Sequence, residues 1–285
     1  MIKGIIFDLD GTLANTLRDL QTAMNNTLSY LGYSDRRDEE AIRMAINNGA
    51  REFVRRSLPD AVKNVDFILS SAINQYEAEY SKCYLQKTAP YEGIEAMLMS
   101  LKAKGIKLAV LSNKQDFFVK NIVDSLFDKK LFTVIQGQEK LPLKPNPLAT
   151  LSIIKTMGIK PSQCLFVGDS NVDITTAKNA KMRSVGVCWG YREREILEEA
   201  EATFLVDKPD DICQIVEDLK NEAVTRRQAK TKPSMQMASE ACEFFNKKLI
   251  GTNEFSIITS KEESVTSESS SNKPKIKKIK KVSKK

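Results

Sequence analysis

Apolar positions fall along this chain in two rhythms, and their alternation predicts the fold. Short continuous apolar runs occur at Ile2–Leu9, Ile106–Ser112, Phe132–Gln136, Gln163–Gly168, Ser184–Trp189 and Thr203–Val206. Continuous rather than alternating apolar character marks strands covered on both faces, as in a parallel sheet. Between them, helical periodicity runs over Gly93–Lys104, Asp116–Leu126, Pro147–Met157, Asp173–Ala180, Glu193–Ala200 and Pro209–Leu219. Gly105 and Gly158 each stand where a helix must stop before the next strand. Strand and helix alternating in this way predict βαβ units and an α/β, doubly wound parallel-sheet domain.

One stretch breaks the rhythm. From about Asn15 to Lys87 the pattern is helical throughout, over Leu17–Leu31, Asp38–Ile46, Ala50–Leu58 and Val62–Tyr84. This predicts an all-helical unit, 15–87, inserted into an α/β body made of 1–14 and 88–220. Beyond that, 221–285 is rich in Ser and Lys and poor in apolar residues. Such a segment buries too little surface to offset chain entropy, so a largely disordered tail is expected, with room for one short helix around Ala238–Leu249.

Charge divides the chain at the same place. The net charge is +7, from 44 basic and 37 acidic residues, but 15 basic and 7 acidic ones lie in 221–285, so 1–220 carries −1. The basic character therefore belongs to the tail. Lys273–Lys285, with Ile276, Ile279 and Val282 at helical spacing, admits weak contact with nucleic acid or an anionic surface, against the plainer reading of a solvated charge run. Base stacking is disfavoured, because no aromatic residue interleaves these lysines. No run approaches the ~18 apolar residues of a membrane helix, and the N-terminus lacks signal-peptide form. Five scattered cysteines without a CxxC pair fit a reducing, cytoplasmic setting rather than a disulfide framework or a zinc site. Nothing in the pattern distinguishes a monomer from a homodimer.

Histidine is absent, which removes Ser-His-Asp and Cys-His catalysis and His-ligated zinc. Any metal must then be held by oxygen, which favours Mg²⁺. In open parallel sheets, ligands bind beyond the carboxyl ends of the strands. Those ends here carry Asp8-Leu9-Asp10-Gly11-Thr12, then Ser112-Asn113-Lys114, then Lys144-Pro145, then Gly168-Asp169-Ser170-Asn171-Val172-Asp173. Four acids, a lysine and small polar side chains thus converge on one edge, without a P-loop or GxGxxG phosphate cradle. Asp8 is of the type that attacks without activation. Asp10, two residues on, points to the same side of an extended chain, where like charges would raise its pKa and fit it to protonate a leaving group.

These motifs, in this order, resemble those of the haloacid dehalogenase superfamily, and within it the phosphoglycolate phosphatases. The likeness runs from Ile2 to about Leu219 and includes Phe7–Leu13, Leu111–Lys114, Phe166–Asp173, Ala177–Ala180 and Gly186–Tyr191. It implies a Rossmann-like core, an inserted helical cap, and a Mg²⁺-dependent phosphatase acting on a small phosphomonoester, 2-phosphoglycolate first, through an aspartyl-phosphate. It implies Asp8 as nucleophile and Asp10 as general acid. Metal ligands would be Asp8, the Asp10 carbonyl and Asp169, with Asp173 in or just behind that set. Lys144, Ser112, Asn113 and the backbone near Gly11 and Thr12 would hold phosphoryl oxygens. Asn47–Arg51 resembles the cap's specificity loop, with Gly49 and Arg51 facing the substrate, although apart from Gly49 these residues also read as a helix-breaking turn with a solvated Arg. Asn15-Thr16 stand where many relatives have Asp-Ser, at the hinge into the cap. The same motifs serve pyrophosphatases, nucleotidases and sugar phosphatases. Asp10 argues against a dehalogenase or a receiver module, and the missing histidine against a phosphomutase.

Overall fold

The computed structural model describes residues 1–231 and Glu243. The expected helix around Ala238–Leu249 and the basic segment Lys273–Lys285 lie outside the described residues, apart from Glu243, which is helical. Strand β1 (Gly4–Phe7) leads through a two-residue strand β2 (Ala14–Asn15) into helices α1 (Leu17–Tyr30), α2 (Glu39–Ala45), α3 (Gly49–Ser57) and α4 (Asp66–Cys83). The chain returns through β3 (Ala89–Pro90), which pairs antiparallel with β2. It then runs α5 (Ile94–Ala103), β4 (Lys107–Gln115), α6 (Asp116–Leu126), β5 (Phe132–Gln138), α7 (Leu148–Met157), β6 (Cys164–Gly168), α8 (Asn171–Asn179), β7 (Arg183–Val187), α9 (Arg194–Glu199), β8 (Phe204–Val206) and α10 (Asp210–Thr231).

Six strands form one parallel sheet in the order β5-β4-β1-β6-β7-β8. The apolar runs are continuous because successive residues supply two different cores. Ile5, Phe7, Leu108, Val110, Leu165 and Val167 join one cluster, while Ile6, Ala109, Leu111 and Phe166 join the other. Helices cover both faces, so every position of β1 is buried, as a doubly wound sheet requires. With β4 on one side and β6 on the other, the end of β1 sits where the strand order reverses, the usual place for a ligand crevice.

The predicted strands and helices agree with the structure to within a few residues at their ends, with three departures. The β2–β3 ribbon, two residues to a strand, is too short to leave an apolar run, and it pairs the two chain crossings to the helical insert. Asp19 of α1 fastens these crossings, accepting from the Thr88 N–H and hydroxyl, both at 2.8 Å, and from the Lys87 N–H. The stretch Val62–Tyr84 is helical as α4 only from Asp66, because Val62–Val65 instead form turns around Pro59. Helix α10 runs to Thr231 rather than ending at Leu219. Asn221–Thr231 is mostly polar, but its Ala, Glu, Gln, Arg and Lys are good helix formers, which favours extending a helix already anchored.

Candidate active site

The β1 carboxyl end and the β6 carboxyl end lie side by side, and this brings the two acidic motifs together. Phe7 pairs with Val167, and the Asp8 N–H donates to the Val167 carbonyl at 2.9 Å. Asp8, Asp169 and Asp173 place carboxylate oxygens within 4.8 Å of one another, all buried. Such closeness depends on missing side chains. At Gly11, where φ is +80°, a Cβ would stand 2.2 Å from Asp169 Oδ2, and one at Gly190 would stand 2.2 Å from Asp169 Cβ.

Lys144 closes this cluster. Its Nζ lies 2.9 Å from Asp8 Oδ1 and 2.7 Å from Asp173 Oδ1. Burial alone would lower its pKa, but the carboxylates of Asp173 and Asp8 outweigh that and hold it above the usual lysine value. Asp8 is pushed up to about 8, chiefly by burial, against the pull of Lys144 and with help from Asp173, Asp169 and Asp10. Asp169 is pushed up to about 7, again chiefly by burial and then by Asp173. Three buried carboxylates with one ammonium carry surplus negative charge in a low-dielectric site. An oxygen-only donor set of this size suits a hard divalent cation, and the cluster fits a metal site.

Each acid has its own orienting partners. Asp8 Oδ1 accepts from the Leu9 N–H at 2.7 Å as well as from Lys144, so Oδ2 is the freer oxygen. Asp169 accepts from Thr12 Oγ1 at 3.1 Å and from the Tyr191 N–H at 2.8 Å. Asp173 takes the Ser170 hydroxyl at 2.6 Å, while Ser170 caps α8. The Asp10 carboxylate stands apart from the cluster. Both its oxygens accept from Lys114 Nζ, at 2.8 and 2.9 Å, and Oδ1 also takes the Thr16 hydroxyl at 2.5 Å. Its nearest charge is thus an ammonium rather than another acid.

The structure spends several of the expected phosphate-binding groups on contacts within the protein. The Gly11 and Thr12 N–H groups donate to Ala14 and Leu9 carbonyls, so the tight turn consumes them and Thr12 orients Asp169 instead of facing the pocket. The Asn113 amide is spent on protein, donating to the Asn47 and Lys144 carbonyls and accepting from the Lys144 N–H at 2.7 Å. Arg51 points outward on α3, its side chain 62% exposed and 3.5 Å from Asp66, because Ala50 and Phe53 occupy the inward face. Gly49 does line the pocket, as do Asp8, Asp10, Ser112, Asn113 and Lys144. Ser112 Oγ accepts from the Lys114 N–H at 3.3 Å, which leaves its proton available.

The pocket, about 70 Å³, lies between the sheet edge and the insert. The insert side is mostly apolar, with Leu20, Ile46, Ala50, Phe53, Tyr76 and Tyr80. Tyr80 of α4 packs edge-on against Phe118 of α6 at 4.9 Å and so joins insert to body. Sequence reasoning gave no role to Lys114, Thr16, Tyr191 or Arg192. Lys114 had a signal, since it completes the Ser112-Asn113-Lys114 motif. Thr16 had been placed only as a hinge position and Tyr191 only within the Gly186–Tyr191 likeness, and the contacts that tie Tyr191 and Arg192 into the site cross the fold, which leaves no spacing to read.

The parallel sheet with a buried carboxylate cluster and a lysine at its strand-order reversal defines a doubly wound α/β protein with a candidate cation site at the usual ligand crevice. The sequence profile of the haloacid dehalogenase-like hydrolases matches residues 5–187. The chain is 32% identical over 207 residues to a phosphoglycolate phosphatase of Pseudomonas putida, covering 71% of this chain and 75% of the relative. It is 34% identical over 196 residues to one of Colwellia psychrerythraea, covering 67% and 86%. A crystal structure described as a predicted phosphoglycolate phosphatase from Haemophilus somnus superposes with a TM-score of 0.70 at 30% identity, covering 75% of this chain and 98% of that one. The chain belongs to the haloacid dehalogenase-like hydrolase family.

Proposed function

We propose that this hydrolase is a Mg²⁺-dependent phosphomonoesterase that works through an aspartyl-phosphate on Asp8. The observation that carries the reading is the division of labour between two neighbouring acids: Asp8 among Asp169, Asp173 and Lys144, and Asp10 two residues on, held by Lys114 and Thr16. Asp8, Asp169 and the Asp10 carbonyl would hold Mg²⁺, with Asp173 beside them. The bound ion supplies positive charge to the carboxylates and to the transferring phosphoryl group. Asp8 attacks phosphorus, the ester P–O bond breaks, and Asp10, which must enter this step protonated and so give up one of its bonds from Lys114, delivers that proton to the leaving alkoxide. Asp10 then takes a proton from the water that hydrolyses the aspartyl-phosphate. Lys144 and the Ser112 hydroxyl hold phosphoryl oxygens.

The helical insert, 15–87, acts as a cap over the body formed by 1–14 and 88–220. A pocket of about 70 Å³ has room for roughly five waters, which favours a leaving group of few atoms. The relatives named as phosphoglycolate phosphatases make 2-phosphoglycolate the first candidate. With Arg51 outside the pocket, its carboxylate would be met by Asn47, Gln115 and the Gly49 backbone.

A panel of phosphomonoesters ranked by kcat/KM with Mg²⁺ tests the substrate, and no preference for 2-phosphoglycolate over ethyl phosphate rejects it. Asp8→Asn tests the chemistry. The amide keeps the shape but cannot attack, and turnover should fall by at least ~10³-fold. Retention of a tenth of the activity in a clean preparation would reject the mechanism.

A further inference from the structure

Arg192 follows Tyr191 in the loop between β7 and α9, outside every chemical motif, yet its side chain is buried, at 8% exposure. No carboxylate lies within ion-pair distance of it among the described residues. A buried guanidinium without an ion pair is costly unless its donors are satisfied. Here both terminal nitrogens find acceptors in the helical insert, beside a longer contact of one of them to the Tyr191 carbonyl at 3.4 Å. One terminal nitrogen donates to the Arg43 carbonyl at 2.6 Å and the other to the Ile46 carbonyl at 2.7 Å. Arg43 lies in the last turn of α2, where carbonyls lack helical partners and the helix dipole favours a cation. The next residues are Asn47, at φ +130°, and Gly49, at φ +80°. Asn47 is held from the other side by the Asn113 amide at 3.0 Å, and a Cβ at Gly49 would stand 2.9 Å from Leu143 Cδ1.

We propose that Arg192 is a positioning residue that latches the Ile46–Gly49 loop of the cap onto the body and so sets the closed state over the substrate. The neighbouring Tyr191 gives this latch its link to the chemistry. The Tyr191 N–H holds Asp169 at 2.8 Å, and its hydroxyl accepts from the Thr16 N–H at 2.8 Å and contacts Thr16 Oγ1 at 3.1 Å. Thr16 in turn holds Asp10. One dipeptide therefore ties together an acid of the cluster, the hinge into the cap and the loop that faces the leaving group. The planar fork of Arg192 aims two donors at the two carbonyls in one fixed geometry; a lysine ammonium has three donors but no rigid fork to hold that spacing.

The inference rests on the phosphatase reading for its kinetic half only. Arg192→Lys and Arg192→Met are made in the full chain and compared with the wild type by amide hydrogen exchange and urea unfolding. Their kcat/KM is measured with 2-phosphoglycolate and with acetyl phosphate, whose good leaving group depends least on the cap. Exchange should quicken at least about tenfold over 42–50 in both variants, with the unfolding midpoint and the exchange of β1, β4 and β6 unchanged. The value for 2-phosphoglycolate should fall about tenfold more than that for acetyl phosphate, mainly through KM. Unchanged exchange over 42–50 overturns the latch. Faster exchange throughout the sheet with a lowered midpoint overturns it as well, since Arg192 would then only stabilise the fold. Equal kinetic losses on both substrates do the same. If Arg192→Met does not fold, Arg192→Lys decides alone. A wild type inactive on both substrates is a failure of the phosphatase reading, and the exchange data then judge the latch.

Discussion

Asp10 is bonded by Lys114 through both oxygens and by Thr16 through one, so its carboxylate is aimed by three contacts rather than by the backbone alone. A group that delivers a proton matters most when the leaving group is a poor one. Asp10→Asn should therefore depress glycolate release from 2-phosphoglycolate by about 10²-fold or more, and p-nitrophenol release from its phosphate far less. Equal losses on both, measured as kcat, would assign Asp10 a purely structural role. Asp8 and Asp10 stood out in the sequence as acids at a strand end, but the chain turns after Asp8 rather than staying extended, and the Asp10 carboxylate goes to Lys114 and Thr16. Lys114 was visible as a motif residue, but its partner was not, because Lys114 ends β4 and Asp10 lies in the turn after β1.

At the scale of elements, the turn between α2 and α3 is where conformation and proximity coincide. Gly49 begins α3 with φ +80° and with Leu143 against the space a Cβ would fill. Gly49→Ala should destabilise the protein by about 1–2 kcal/mol and raise KM, because the loop must lift from the body to admit the methyl group. Thermal unfolding and steady-state kinetics check this. Arg51→Ala, two residues further along the same helix, should move neither quantity. Helical spacing predicted α3 itself but not which of its polar residues faces inward. The face was decided when Phe53 and Val54 were buried, which turned Arg51 toward Asp66.

For the whole molecule, the buried acids make stability depend on pH and metal together. In the metal-free protein the Asp8 and Asp169 pKa values lie at about 8 and about 7, above those of the unfolded chain. A carboxyl raised on folding binds protons more tightly in the native state, so its contribution favours folding at low pH. That contribution fades as pH rises from about 4 toward 8. Mg²⁺ needs the ionised carboxylates and relieves their repulsion. The Tm gain from saturating Mg²⁺ should therefore be larger at pH 8 than at pH 5.5, reaching roughly 5–10 °C at a hundredfold excess over Kd. Comparing the same protein with and without metal cancels the other titrating groups. A gain that shrinks as pH rises would mean that these acids do not hold the metal.

The strand ends read from local pattern carry Asp8, Asp169, Asp173 and Lys144, and the structure gathers these side chains, while the helical periodicity read over 15–87 corresponds to α1–α4. Strand ends and helix faces follow from spacing along the chain, and a doubly wound sheet brings its carboxyl ends together. Only the tertiary structure decided that Asn113 braces Asn47 and Lys144, that Arg51 faces solvent, and that Arg192 reaches Arg43 and Ile46. In the first and last cases the acceptors are backbone carbonyls, which every residue carries and no sequence motif distinguishes. In the case of Arg51, the outcome depended on which neighbours packed inward. The clustered acids are thus legible in residue identity, while the contacts between the helical insert and the body arise from where the folded backbone presents its carbonyls.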